Sequence, residues 1–348
     1  MATKYLAKTF KYGVALQANW ATPGGVATAY KTVPYTAGSV VFDPDVKVEM
    51  HNTSGQSGIH KEFERVYVDG RSGLPRVNFS MPADAKTLAP HLVGAMNTLV
   101  ATAMEYTGTP YGKFINAGGL TGVIDFNGDD TYLHTIAMDD KASTDDGIIL
   151  ENAIIDTLNL SWDFLANGTA RLIQVDGSWV GNEMNFEQTM TSGNWTTTTF
   201  TPMGDTDLYA FSVLTSDAVD IKAQNVRRFT FSVANNVTSN AATTAGKANN
   251  YDIAPVYTSK IILDYNDTTD YAATTLQTGG AVVFTLDSNI AGGSTGDFTI
   301  ACPSGVLQSN PHTYNGEFAG IELDVLWDSA AAATPITITF TDSIDWGY

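Results

Sequence analysis

Leu158-Asn159-Leu160-Ser161-Trp162-Asp163 alternates apolar and polar residues at every step. A period of two marks a β-strand with one buried and one wet face. The alternation returns at Arg76-Val77-Asn78-Phe79-Ser80-Met81 and at Arg228-Phe229-Thr230-Phe231-Ser232-Val233. Ile321-Glu322-Leu323-Asp324-Val325 and Ile336-Thr337-Ile338-Thr339-Phe340 repeat it near the C-terminus. The chain therefore reads as mainly β, with the apolar half of each stretch as the expected core.

One segment breaks the rhythm. Thr87-Leu88-Ala89-Pro90-His91-Leu92-Val93-Gly94-Ala95-Met96 places Leu88, Leu92, Ala95 and Met96 at helical spacing. Thr87 is the expected N-cap, which puts Pro90 in the first turn, where its missing N–H does little harm. Tyr271 to Gln277 is a weaker helix or loop. Polar, Gly-rich or Thr-rich stretches at 51–60, 139–147, 190–199 and 238–250 read as loops between strands.

The 348 residues suit two domains of ordinary size or one large β domain. Acids outnumber bases 37 to 18, a formal net charge of −19. That balance excludes a protein that wraps nucleic acid through its phosphates, because such wrapping needs clustered cations. It also excludes docking on an anionic membrane. It leaves room for a protein that encloses DNA while repelling it. Cys302 is the single cysteine, so neither an internal disulfide nor a Cys-rich zinc site can form. The N-terminal stretch lacks the apolar run of a secretory signal, and no stretch approaches the roughly 18 apolar residues of a membrane span. The expectation is an acidic, soluble protein made in a cytoplasm.

Residues 158–176 can be laid without gaps on 323–341, with Leu158 on Leu323, Trp162 on Trp327, Asp163 on Asp328 and Ile173 on Ile338. Both stretches read as strand, small-residue turn, strand. Two readings stand: a duplicated β unit, with a first unit over 1–180 and a second over 181–348, or a chance likeness of alternating hairpins. Duplication would halve the number of chains a closed ring needs.

Catalytic signatures are weak, and no enzyme is expected. Gly292-Gly293-Ser294-Thr295-Gly296 matches a nucleophile elbow, but strands flank it on both sides, whereas the elbow needs a following helix. Asp125-Phe126-Asn127-Gly128-Asp129-Asp130 resembles a calcium turn, yet Ile136 stands where the closing Glu of an EF-hand belongs. Asp139, Asp140, Asp145 and Asp146 read as a solvated loop. The histidines His51, His60, His91, His134 and His312 fit no metal spacing, and His134 is expected to be structural. No metal and no cofactor is expected.

The order of features resembles the tail tube (major tail) proteins of long-tailed bacteriophages. Four stretches carry the likeness. They are the arm Tyr12-Gly13-Val14-Ala15-Leu16-Gln17 with Val33-Pro34-Tyr35, the strand Arg76 to Pro82 running into the helix, the strand Ala153 to Ser161 with Arg171 to Trp179, and Arg227 to Asn236 with its closing Asn pair. The segment from Gly320 to Thr341 is similar to the family's C-terminal hairpin. The chain is longer than many such proteins. The resemblance implies β-sandwich or barrel units with a flanking helix, joined edge to edge into trimeric or hexameric rings that stack into a tube. Double-stranded DNA would pass through without specific binding, and other tail proteins would sit at the tube ends. The location implied is the virion tail, with synthesis in the bacterial cytoplasm.

Within that picture Asn159, Ser161, Asp163, Glu322, Asp324 and Asp328 are the candidates to face the lumen. Tyr12 and Leu16 in the arm, with Gln56 and His60 in the long loop, are the candidates for ring contacts. The alternative is a β-sandwich binding module such as an adhesin or capsid decoration protein, which should show an aromatic platform or a calcium site.

Overall fold

The structure is a computed structural model. It describes residues 10–17, 27–36, 39–44, 46–52, 65–71, 74–83, 85–95, 111–116, 122–124, 133–139, 147–163, 172–197, 208–213, 226–242, 248–264, 279–287, 298–309, 312–315, 318–327 and 336–341.

The strands in chain order begin with β1 (Lys11–Gln17), β2 (Tyr30–Thr32), β3 (Val41–Asp43), β4 (Val46–Asn52), β5 (Arg65–Arg71) and β6 (Arg76–Pro82). The helix α1 (Ala85–Ala95) follows, then β7 (Tyr111–Asn116), β8 (Gly122–Ile124), β9 (Leu133–Asp139) and β10 (Gly147–Asp163). Next come β11 (Gln174–Val180), β12 (Glu183–Gln188), β13 (Trp195–Thr196), β14 (Leu208–Val213), β15 (Val226–Ala234), β16 (Thr238–Ala242) and β17 (Ala248–Ile253). The last are β18 (Val256–Asp264), β19 (Gly279–Asp287), β20 (Phe298–Ser309), β21 (His312–Asn315), β22 (Phe318–Trp327) and β23 (Ile336–Thr341). The fold is mainly β, as the alternation requires.

One strand organises the rest. The N-terminal part of β10 pairs with β9 and β12, and its C-terminal part pairs with β11 and β15. The register breaks between Leu150 and Ala153 and again between Ile155 and Thr157. Such bulges bend a strand and let it pass from one sheet direction to another. A short arm therefore runs β12–β10–β9–β1–β2–β13. A long arm runs β3–β6–β11–β10–β15–β18–β22–β20, with β19 and β14, and β23 and β7, continuing beyond β20. Followed from neighbour to neighbour, the described pairings never return to their starting strand, so this is one curled, open sheet.

The two arms enclose one core. Val77, Phe79 and Met81 from β6, Leu158, Leu160 and Trp162 from β10, and Phe229, Phe231 and Val233 from β15 are all buried in it. Tyr12, Val14, Ile136 and Leu150 reach the same cluster from the short arm. Leu88, Leu92 and Ala95 of α1 complete it. Burying side chains of this size contributes about 1.5–3 kcal/mol each before conformational entropy is counted.

Several expectations need correction. The helix begins at Ala85, so Thr87 lies inside it and Pro90 is an interior residue. An interior proline removes one backbone hydrogen bond, and the buried faces of Leu88, Leu92 and Pro90 itself hold the helix regardless. Within the 238–250 stretch, 238–242 and 248–250 are strand and not loop: β16 and β17 pair there, and β17 pairs with β8. Beneath them Leu74, Leu133, Ile154, Val180, Val237, Tyr251 and Ile253 form a second small core. His51 and Asn52 end a strand, since β4 and β5 form a two-stranded ribbon of their own. The 190–199 stretch contains one turn of 3-10 helix at Ser192–Asn194 and then β13.

The two stretches that can be laid on each other behave differently. β10 and β11 are direct neighbours, Leu158 opposite Gly177. Their expected counterparts β22 and β23 both border β20 and share no described pairing. The division at 180/181 is also crossed by the pairs β10–β12, β10–β15 and β2–β13. The Tyr271 segment, the calcium-like turn, the Gly292 to Gly296 stretch and Asp140, Asp145 and Asp146 lie outside the described residues, while Asp139 is buried in β9.

Gly94 shows how tightly α1 seats. A Cβ there would lie 2.4 Å from the Trp179 ring. Gly94→Ala gains about 1 kcal/mol of helix propensity, but displacing a fully buried Trp costs about 1–3 kcal/mol. The clash should win, and calorimetry should give a lower melting temperature; an unchanged or higher one contradicts this packing.

Candidate functional site

The register across the long arm places the polar halves of its strands on one face. Asn159 lies opposite Asp176 on one side and Ser232 on the other, and Ser232 lies opposite Thr258. One row along, Gln174, Ser161, Thr230, Lys260 and Asp324 follow one another across five strands. The next row runs Asp163, Arg228, Ile262, Glu322. The structure thus brings Asn159, Ser161, Asp163, Glu322 and Asp324 onto one continuous face, bridged by β15 and β18, whose Arg228 and Lys260 sequence reading did not single out. Asp328 lies outside the described residues.

The cations of this face are held by carboxylates. Arg228 Nη2 donates to Asp163 Oδ2 at 2.7 Å. Lys260 Nζ donates to Glu322 Oε1 at 2.6 Å and sits 3.5 Å from Asp324 Oδ1. The hydrogen bond to Glu322, helped by the charge of Asp324, raises the Lys260 pKa. The ammonium is then the favoured form throughout neutral pH, and its contribution is lost only as pH rises beyond the ordinary lysine range. Lys260 and Arg228 are half exposed, and surface pairs of this kind are worth about 0–1 kcal/mol. Their effect is on the charge pattern. A groove of about 350 Å³ opens between these strands, lined by Thr230, Ser232, Thr258, Lys260, Gln308 and Asp324.

Of the expected ring contacts, Tyr12 is corrected. It is 1% exposed, so its side chain is unavailable to another copy. Trp179 Nε1 donates to its hydroxyl at 3.0 Å, and that hydroxyl lies 3.3 Å from His91 Nε2. Burial drives the Tyr12 phenol well above its ordinary pKa. The strand β1 is central in the short arm, between β2 and β9, and the alternation around Tyr12 could not say which face the core would take. Leu16 is half-buried on the same strand, opposite His134. His134 is buried with its ring 5.1 Å from that of Trp179. Gln56 and His60 lie outside the described residues, between β4 and β5.

The Asn pair that closes β15 has two separate tasks. Asn235 is buried, and its Nδ2 donates to the carbonyls of Ala95 at 2.8 Å and Ile155 at 2.7 Å. It therefore satisfies a free carbonyl at the end of α1 and ties the helix to β10. Asn236 has φ 50° and donates to the Ala254 carbonyl at 2.9 Å. A positive φ favours Asn or Gly over other residues.

Among the described residues no group of three or more His, Cys, Asp or Glu is placed to hold a metal ion. No helix there is long and apolar enough to cross a membrane. Neither a protein-family model nor a curated protein sequence matches the chain.

Asn235→Ala should cost about 1–3 kcal/mol in urea unfolding, because two buried carbonyls lose their donor. Asn236→Gly should stay within about 0.5 kcal/mol, since glycine accepts the same backbone angle. Equal effects from the two changes would contradict the separate roles.

Proposed function

We propose that this chain is a structural subunit that self-assembles into stacked rings, and that the stack is a bacteriophage tail tube carrying double-stranded DNA. The observation that supports it is the polar face of the long arm. It is broad, continuous across β6, β11, β10, β15, β18 and β22, and dressed mainly with hydroxyl, carboxamide and carboxylate groups. Its described cations Arg76, Arg228 and Lys260 each hold an acid, Asp156, Asp163 and Glu322 in turn. A surface that grips DNA presents Lys and Arg to phosphates and releases counterions. This face does the reverse, which suits a wall along which DNA slides.

On this reading Asn159, Ser161, Asp163, Glu322 and Asp324 line the channel, with Asp328 as the remaining candidate. The partners are copies of the chain itself, in rings of three or six, with other tail proteins at the ends. The place is the virion tail, after synthesis in the bacterial cytoplasm. The β4–β5 ribbon belongs to neither arm. A two-stranded ribbon is marginally stable alone, so we assign it and the segment holding Gln56 and His60 to contacts between stacked rings. No catalytic role is proposed.

The groove at Thr230, Ser232, Thr258 and Lys260 favours a second reading, a binding module. Negative-stain microscopy separates the two. Rings or tubes with a central channel support the first; a monomer that retains a glycan on an array supports the second and overturns the first.

Two variants test the details. With Asp163→Asn, Glu322→Gln and Asp324→Asn combined, Arg228 and Lys260 lose their acids. Assembled tubes of that variant should retain duplex DNA in 50 mM salt (about that ionic strength) and release it as salt rises, whereas wild-type tubes should retain none; equal retention contradicts the sliding face. Replacing 53–64 by a short Gly-containing turn should leave single rings and abolish tubes in electron micrographs. Tubes of normal length would remove the ribbon from the stacking contact.

A further inference from the structure

We propose that His91 is an acid-sensitive latch: its neutral imidazole completes a buried hydrogen-bond chain that ties α1 to β1 of the short arm and β11 of the long arm, and uptake of a proton breaks that chain and releases the helix. The latch belongs to the fold of a single chain and stands independently of the ring reading above.

The hydrogen bonds run from Trp179 through Tyr12 to His91. An indole N–H can only donate, and Trp179 Nε1 donates to Tyr12 Oη at 3.0 Å. Among the described residues the other partner of that hydroxyl is His91 Nε2, at 3.3 Å. The hydroxyl already accepts from Trp179, so its own proton is donated to Nε2, which must be bare to accept it. Burial keeps the proton on the phenol, because it drives the Tyr12 pKa far upward. One form of His91 fits, a neutral ring with its proton on Nδ1. An imidazolium carries protons on both nitrogens. It would turn an N–H against the hydroxyl and leave the phenolic proton without an acceptor.

The surroundings offer that charge little. His91 and Trp179 are fully buried. The imidazole lies 4.7 Å from the Phe79 ring and 5.6 Å from the Trp179 ring. Aromatic faces return only a part of the hydration that a buried cation loses. Among the described residues, the titratable groups facing His91 are Tyr12 from β1 and His134 from β9, whose ring lies 5.1 Å from the same indole. Strand alternation turns Lys11, Arg76, Asp139 and Asp176 to the opposite faces of β1, β6, β9 and β11. On β10, Asp156 is engaged by Arg76 and Glu151 by Asn185. β23 also approaches α1 and contains no titratable residue. Lys86 stands about 140° around α1 from His91.

Above the ordinary imidazole range, about pH 6.5, His91 is neutral whether the chain is folded or not, and the latch contributes in full. Below it the unfolded chain takes up a proton that the closed latch refuses, so stability falls as pH falls. Asn235, which ties the last turn of α1, does not titrate and leaves the response to His91. A released α1 uncovers Leu88, Leu92 and Ala95, now part of the core.

The test compares full-length wild type, His91→Gln and His134→Gln between about pH 8 and about pH 5.5, above the range in which most carboxylates protonate. Glutamine offers Tyr12 a carboxamide oxygen and takes up no proton. From the top to the bottom of that range wild type should lose about 2 °C more in melting temperature than His91→Gln. Hydrogen exchange, corrected for its intrinsic pH dependence, should show wild-type protection of α1 and β1 peptides falling about tenfold. His134→Gln should keep that fall. Parallel melting profiles for wild type and His91→Gln, unchanged α1 protection in wild type, or a response lost in His134→Gln overturns the latch. Should His91→Gln fail to fold at pH 8 (about neutral or above), the exchange measurements on wild type and His134→Gln decide alone: a fall in both supports the latch, and its absence from either overturns it.

Discussion

The hydrogen bonds around Asn152 are the constraint on which the architecture depends. β10 leaves the short arm and enters the long arm there, and Asn152 takes φ 52° in a buried position. Peptide groups freed by a bulge inside a protein must find partners, or each costs about 1–3 kcal/mol. Gln17 supplies them from β1. Its Oε1 accepts from the Asn152 backbone N–H at 3.0 Å and from Thr135 Oγ1 at 3.1 Å, while its Nε2 donates to Asn152 Oδ1. Asn152 Nδ2 donates to Asn182 Oδ1 at 2.7 Å, and Tyr251 Oη donates to the Asn152 carbonyl at 3.0 Å. One residue thus joins β1, β9, the β11–β12 turn and β17.

From that joint the rest follows. Because β10 turns there, the short arm can fold over the long arm and place Tyr12 against Phe79 and Trp179. The helix fills the remaining space, with Gly94 under Trp179 and Asn235 holding its last turn. Asp156, at the second register break, accepts from Arg76 Nη1 at 2.5 Å and from the Val237 N–H at 2.9 Å, which anchors the start of the β16–β17 hairpin. Met190 and Trp195 cross the outer side of the short arm and pack on Ala15, Ala137 and Ile149.

Much of this was legible along the chain. Leu158, Leu160 and Trp162, like Phe229, Phe231 and Val233, are buried where alternation puts them, because strand side chains alternate whatever lies above the sheet. Asn159, Ser161 and Asp163 share a face with Glu322 and Asp324 for the same local reason, although no pattern in the sequence shows that β15 and β18 lie between them. Elsewhere the local signal misled. The Thr- and Asn-rich 238–250 stretch has turn-like composition, yet β17 pairs with β8, and the buried Tyr251 holds that hairpin over its own small core. Thr87 is a good cap by composition, but the helix is set by what Leu88 and Leu92 bury, so it starts earlier.

By itself the sequence determined the β class, the apolar and polar halves of each strand, the presence of one helix and the acidic balance, all of which depend on residues a few positions apart. Only the tertiary structure decided that Tyr12 is core, that β20 stands beside both β22 and β23 instead of letting them form a hairpin, and that scattered Lys and Arg find their carboxylates across neighbouring strands. Those outcomes depend on hydrogen bonds and packing between segments tens to hundreds of residues apart, and a one-dimensional period has no information about which strand will lie next to which.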